Sequence, residues 1–65
     1  MRNNFPKNLQ FQRKIKKISQ PVIAKLCNTT VATVSRWENG VNEPDISTII
    51  LLADFFDITI DELLR

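Results

Sequence analysis

The side chains of this chain that are suited to chemistry are hydrogen-bond donors rather than nucleophiles or metal ligands. Arg36 follows Val34 and Ser35 in the chain, and its guanidinium can donate two parallel hydrogen bonds to O6 and N7 of a guanine, a contact worth about 1 to 3 kcal/mol of base discrimination. An ordinary solvated arginine is the alternative. The sequence has no histidine, no nucleophile beside a base, no metal-ligand spacing and no phosphate-binding glycine loop. We therefore expect no enzyme activity, metal, cofactor or small-molecule effector site.

Charge is divided unevenly along the chain. Residues 1–36 carry eight cations and no acid, which gives +8, whereas residues 37–65 carry seven acids and one cation, which gives −6. A basic half on a chain whose net charge is only +2 is the electrostatic footprint expected for a polyanion partner. A merely solvated charged surface is the alternative, but it would scatter the two signs.

Length and composition predict one small domain. Sixty-five residues are enough for a single economical core, and we expect a flexible N-terminal segment over 1–6 and a folded domain over 7–65. Cys27 is the only cysteine, which excludes an intramolecular disulfide and fits a reducing compartment. No signal peptide is recognisable, and the longest apolar run is Ile49–Ala53. A cytoplasmic, nucleoid-associated protein is the expectation.

Two helices are predicted in the basic half before residue 29. The spacing of four apolar residues predicts a first helix from about Lys7 to Lys16; they are Leu9, Phe11, Ile15 and Ile18. Ser19 is a candidate N-cap for a second helix, with a proline in its first turn. Asn28 is expected to stop that helix because asparagine tolerates the left-handed conformation.

Three further helices complete an all-α, compact five-helix bundle. The composition of Thr29–Val34 resembles a strand, but Thr30 is a good N-cap and Gly40, the only glycine, stands where a helix would end. Asp45 can cap a fourth helix with a wide apolar stripe. Thr59 and the glutamate three residues later have the form of a capping box for a short last helix. The apolar stripe of the fourth helix comprises Ile46, Ile49, Ile50, Leu52, Ala53 and Phe56.

The second and third predicted helices, joined by a short turn, resemble a known DNA-binding motif. From Asn8 to Leu64 the chain resembles the phage repressor and Cro type of helix-turn-helix domain, the xenobiotic response element family. The matching positions are Ser19-Gln20, Ala24, Asn28, Val34 to Gly40, Glu43-Pro44 and Ile60 to Leu64. The resemblance implies a lambda-repressor-like fold and a sequence-specific regulator of transcription that binds double-stranded DNA.

The resemblance places the recognition helix at Thr30–Glu38. At 100° per residue, Val34 and Trp37 share one face, and the opposite face is expected to meet base edges in the major groove. The residues of that opposite face are Val31, Ala32, Ser35 and Arg36. A rotated helix, with Val31 in the core, is the alternative.

Further positions are expected to hold the DNA backbone or the fold. Lysines can fix orientation through phosphates without reading sequence; they are Lys14, Lys16, Lys17 and Lys25. Thr30 and Thr33 can bond phosphate or a base edge, or can serve only as caps. The resemblance implies that Gln20 holds a phosphate and braces the recognition helix, and that Asn39 meets the backbone. It also implies a structural ion pair between Arg13 and Glu38.

Departures from the family pattern suggest a partner surface. Gln12 stands where relatives often carry an apolar residue, so the first helix is expected to dock differently. Leu26 and Leu51, with Phe55 beside them, stand where relatives often carry charged residues. Leu51 and Phe55, spaced i and i+4, form a candidate homodimer patch; a larger core is the alternative. A repressor acting as a homodimer on a palindromic operator is expected. The rival hypothesis is a protein-interaction module, such as an antitoxin or anti-repressor, that keeps the fold.

Overall fold

The computed structural model describes residues 4–65, and within that range it contains five α-helices and no strand. The all-α expectation is therefore confirmed for the described residues. The α3 helix packs against both α1 and α2, and α5 packs against α1 and α4. The helices are α1 (Phe5–Ile15), α2 (Gln20–Leu26), α3 (Val31–Glu38), α4 (Ile46–Phe56) and α5 (Ile60–Leu64).

Side-chain caps begin three of the helices where the sequence predicts them. The Thr30 hydroxyl accepts a hydrogen bond from Thr33 N–H at α3, and an Asp45 carboxylate oxygen accepts one from Thr48 N–H at α4. Thr59 forms a complete capping box with the glutamate at position 62. Ser19 occupies the N-cap position of α2, but among residues 4–65 its hydroxyl accepts no capping bond, so that part of the prediction is wrong.

Four helices end in the same way, with one residue in the left-handed conformation. The following amide then bonds back to a carbonyl of the last turn, as Thr29 N–H does to Ala24 O at 2.8 Å. Asn28 and Gly40 were expected from their residue types. The left-handed conformation of the other two residues was not expected from the sequence. The four left-handed residues are Lys17, Asn28, Gly40 and Asp57.

The core lies where all five helices meet. Its largest fully buried side chains include Phe5, Leu9, Ile23, Val34, Leu52, Phe56 and Leu63. Burying side chains of this size stabilises the fold by about 1.5 to 3 kcal/mol each before entropy is counted. Phe5 lies in α1, so the first helix begins two residues earlier than predicted. Of the segment expected to be flexible, residues 1–3 lie outside the described residues, and Phe5 and Pro6 belong to the helix.

Several apolar residues that periodicity assigns to helix faces are left in solvent. Ile46 and Ile50, predicted as part of the buried stripe of α4, are 61% and 43% exposed, so that part of the prediction is wrong. On α1, Phe11 and Ile15 are also exposed, and the neighbouring Gln12 side chain turns inward instead. Gln12 Oε1 is buried without a hydrogen-bond partner in the described structure. The outer faces of α1 and α4 thus carry unpaired apolar side chains.

Candidate nucleic-acid interface

The two central helices are held in a helix-turn-helix arrangement by a short connection. Four residues separate Leu26 at the end of α2 from Val31 at the start of α3. Asn28 adopts φ 56° in this turn, which reverses the chain sharply, and Thr30 then caps α3. Because both ends of the turn are fixed by local hydrogen bonds, the direction in which α3 leaves α2 is set.

The two faces of α3 have opposite surroundings. Val34 and Trp37 are buried against the rest of the core, which anchors the back of the helix. Val31, Ala32 and Arg36 are exposed on the other side, and Ser35 beside them is half-buried. An alternative in which Val31 belongs to the core does not match this placement. The exposed face therefore presents one guanidinium and small apolar surfaces, a combination suited to base edges and thymine methyl groups.

A buried carboxylate braces the end of α3. Arg13 of α1 donates from Nε to Glu38 Oε2 at 2.6 Å and from a terminal nitrogen to Oε1 at 3.1 Å. Gln20 at the start of α2 also donates to Glu38 Oε1, at 3.1 Å. The two ionic side chains are 15% and 2% exposed, so both charges are compensated within the protein. The Glu38 carboxylate thus joins α3 to α1 and α2.

The same arginine also holds the loop between α1 and α2. Arg13 donates from its other terminal nitrogen to Ile18 O at 3.2 Å. The ion pair that the family resemblance implies is thus present, and so is the bracing role of Gln20; a phosphate contact by Gln20 stays a prediction. The contact with Ile18 O has no signal in the sequence, because it depends on how the loop folds back.

The predicted backbone-binding lysines are not equivalent. Lys14, Lys17 and Lys25 are exposed, and Lys17 lies in the loop that precedes α2. Lys16 is directed elsewhere: its ammonium donates to Phe56 O at the end of α4 and lies 5.5 Å from the centre of the Phe56 ring. This cation stabilises the carbonyl end of a helix and an aromatic ring. A phosphate contact by Lys16 stays a prediction, and it would require the ammonium to leave these two partners.

The polar residues at the two ends of α3 bond to each other. Thr30 and Thr33 share a hydrogen bond between their hydroxyls at 3.0 Å. At the other end, Asn39 Nδ2 donates to Ser35 O at 2.9 Å and to Ser35 Oγ at 3.3 Å. These bonds pre-order the side chains, and the hydroxyl and amide groups keep further hydrogen-bonding capacity. Contacts of these four residues with DNA stay predictions.

The remaining candidate features lie away from α3. Leu51 and Phe55 are exposed on α4, as a contact patch requires.

Partial burial raises the pKa of the Cys27 thiol, so the neutral form dominates and the side chain acts as a small apolar group. Within residues 4–65 no cluster of histidine, cysteine, aspartate or glutamate could hold a metal ion. Nor is any helix in that range long and apolar enough to cross a membrane.

Comparison with known proteins identifies close resemblance over almost the whole chain. The profile of a helix-turn-helix family matches residues 9–63. The HTH-type transcriptional activator BcrR of Enterococcus faecalis is 33% identical over 60 residues, which cover 92% of this chain and 29% of that protein. This chain therefore spans less than a third of that relative's length.

Two solved structures are similar in fold as well as in sequence. A transcriptional regulator from Listeria innocua superposes with a TM-score of 0.94 at 34% identity, covering 98% of this chain and 60% of that one. The restriction-modification controller protein C.AhdI from Aeromonas hydrophila superposes with a TM-score of 0.79 at 30% identity, covering 91% of this chain and 89% of that one.

Proposed function

This chain belongs to the helix-turn-helix family, and from that premise we propose that it binds double-stranded DNA in a sequence-specific manner and regulates transcription. The observation that carries the proposal is the two-sided α3 helix. Its back is anchored by Val34, Trp37 and the Glu38 brace, while Val31, Ala32 and Arg36 stand exposed. A helix fixed on one side and open on the other is what insertion into a major groove requires.

In this proposal α3 reads sequence and the surrounding cations set orientation. Arg36 contacts a guanine, Val31 and Ala32 lie against thymine methyl groups, and Ser35 bonds a base edge. Phosphates are held by exposed lysines and by polar side chains at the helix ends. The phosphate-binding set is Lys14, Lys17, Gln20, Lys25, Thr30, Thr33 and Asn39. The similarity to a transcriptional activator and to a transcriptional regulator supports this role.

We also propose that the chain acts as a homodimer on a palindromic operator. Leu51 and Phe55 lie one turn apart on the outer face of α4 and are both exposed, and a twofold axis through that patch would bury both pairs. The two recognition helices would then enter successive major grooves roughly 34 Å apart. Binding there would repress transcription by occluding a promoter, in the cytoplasm at the nucleoid.

Selection from a random DNA pool tests the proposal as a whole. The enriched sites are expected to be inverted repeats whose half-sites are one helical turn apart. Sedimentation of the complex should give two chains per duplex. Three lysine contacts per chain predict that log K falls with log salt with a slope of roughly −2.7 per chain. A pool with no enriched sequence and an affinity insensitive to salt would refute DNA binding.

The protein-interaction module remains the second candidate because of a specific observation. Large apolar side chains are exposed on α1 and α4, at Phe11, Ile15, Ile46 and Ile50. The proposed DNA-binding face on α3 does not include them. If selection yields no DNA site while these residues prove to bind protein, the second candidate is favoured. The two functions use different faces of the domain and are compatible.

A further inference from the structure

An exposed row of three side chains runs along the outside of α1. Lys7, Phe11 and Ile15 are spaced four residues apart, so they lie one above another on the same face. Phe11 is 58% exposed and Ile15 is 53% exposed. The buried contacts of α1 are made by other residues, Phe5 and Leu9. The row is therefore free of the core, and it ends in a cation.

A second row of the same spacing runs along the outside of α4. Ile46, Ile50 and Asp54 are also spaced four residues apart, all three are exposed, and the row ends in an acid. Leu51 and Phe55 form a separate row displaced by about 100° around the helix. The second row is thus distinct from the proposed dimer patch.

The two rows are complementary in length, polarity and charge. Each spans about 12 Å, since eight residues rise by 1.5 Å each. An antiparallel arrangement sets Lys7 opposite Asp54, with Phe11 opposite Ile50 and Ile15 opposite Ile46. A parallel arrangement sets each charge against an isoleucine. Helices whose i±4 rows lie alongside each other cross at about 50°, the commonest packing class.

The charges at the ends of the rows are free to make this contact. Within residues 4–65 the ion pairs are Arg13–Glu38 and Asp61–Arg65, so neither Lys7 nor Asp54 takes part in one. The α1 row lies in the half of the chain that contains no acid, and the helix Ile46–Phe56 contains no cation. Placed against its own copy, either row would oppose like charges in a parallel arrangement and would set each charge against an isoleucine in an antiparallel one, so neither self-pairing forms an ion pair.

From these observations we infer that the α1 row of one copy docks on the α4 row of a second copy. The occupant of each face is thus another molecule of the same chain, held by an apolar centre and a Lys7–Asp54 ion pair. The contact joins two different surfaces, so it does not close on itself and can continue from copy to copy. It shares no residue with the exposed face of α3 or with Leu51 and Phe55.

The consequence for regulation is cooperative occupation of neighbouring sites. Homodimers on adjacent operators would be linked through these rows, so that one bound dimer favours the next. This consequence rests on the proposed DNA-binding function. The contact itself does not, because it is a property of the protein alone, and it is therefore tested without DNA.

Charge exchange between the rows provides the test. Sedimentation velocity of the whole chain at low salt should show assembly beyond two copies as concentration rises. Lys7→Glu and Asp54→Lys should each weaken that assembly by about tenfold or more, because each opposes like charges. The double variant K7E/D54K should regain most of the loss, since it restores an opposite pair. Both side chains changed in these variants, Lys7 and Asp54, are exposed, and circular dichroism should confirm unchanged folding.

Two charge changes outside the rows serve as matched controls. Lys25→Glu and Asp61→Lys change the same charges outside both rows and should leave assembly unchanged. Three results would overturn the inference: a wild-type chain that stops at two copies at every concentration, a double variant no better than the single ones, or sensitivity to only one of the two positions. The last result would indicate a row paired with itself or with another protein. Failure of DNA selection would leave this assay untouched, so the two proposals fail separately.

Discussion

The basic and acidic halves of the domain both expose apolar side chains, but in opposite electrostatic surroundings. On α3, Val31 and Ala32 lie beside Arg36 in the half of the chain that carries only cations. On α4, Ile50 and Phe55 lie on a helix whose only charge is negative. Apolar surface among cations is suited to a polyanion that carries methyl groups, whereas apolar surface among acids repels that polyanion and is suited to protein. On α3 and α4 the sign of the surrounding charge separates the two uses, whereas the α1 row of Lys7, Phe11 and Ile15 is apolar surface in the basic half that is proposed to contact protein.

The largest expected effect concerns the ion pair that ties α3 to the basic half. Glu38→Ala should lower the free energy of unfolding by about 3 kcal/mol, because it strands the largely buried Arg13 guanidinium. Urea denaturation followed by circular dichroism measures this. The matched control lies in the acidic half: Asp61→Ala removes the exposed pair with Arg65, whose N–O distance is 3.3 Å, and should have little effect. Equal losses in the two variants would contradict the difference in burial.

The next prediction distinguishes base recognition by Arg36 from the phosphate contacts that lysines of the basic half are proposed to make. Arg36→Ala should reduce affinity for the selected operator by about 10- to 100-fold and relax preference at one base pair per half-site. Lys25→Ala should weaken binding to all sequences alike and make the salt slope shallower by about 0.9 per chain. Fluorescence anisotropy with operator and scrambled duplexes separates the two patterns. If Arg36→Ala lowers affinity equally for both duplexes, its assignment to a base fails.

A smaller pair of effects uses the left-handed helix ends found in both halves. Lys17 (φ 56°) and Asp57 (φ 58°) carry side chains in a conformation that favours glycine, so replacing either by glycine should stabilise the fold by up to about 1 kcal/mol. Only Lys17→Gly should also weaken DNA binding, because only that position is proposed to hold a phosphate. Thermal denaturation and binding on the same samples test this. Weaker binding in Asp57→Gly would show that the acidic half also meets DNA.

The smallest effect is the dependence of stability on acid. Hydrogen bonds from Thr48 lower the pKa of Asp45, and hydrogen bonds from Thr59 lower the pKa of Glu62, from ordinary values of 3.8 and 4.5. Both pKa values are depressed in the folded state. Their stabilisation is therefore complete above the ordinary values and is lost as pH falls through the lower folded-state values. The cap of α3 is a threonine hydroxyl, which does not titrate in this range.

The acid effect is isolated by isosteric variants. The double change Asp45→Asn and Glu62→Gln keeps capping side chains at both helices but removes their titration. Urea midpoints measured from about pH 6 down to about pH 3 should fall less steeply in this variant than in the wild type. Identical slopes would show that the caps of the acidic half contribute nothing to acid sensitivity.

Much of the fold was predictable because its signals are local. Threonine and aspartate N-caps, the capping box at Thr59 and the left-handed stops at Asn28 and Gly40 depend on a few neighbouring atoms, and residue type alone favours them. Helical periodicity likewise separated Val34 and Trp37 from the Arg36 side of α3. The charge division between the two halves is a property of the sequence and needs no structure.

Contacts between distant segments were decided only by the tertiary structure. The sequence does not tell that the Lys16 ammonium donates to Phe56 O, forty residues away. Periodicity also placed Ile46 and Ile50 on a buried stripe that the neighbouring helices do not cover completely. The physical reason is the same in each case. A helix face is defined by its own residues, but burial and pairing require a second surface, whose position depends on how all the helices pack.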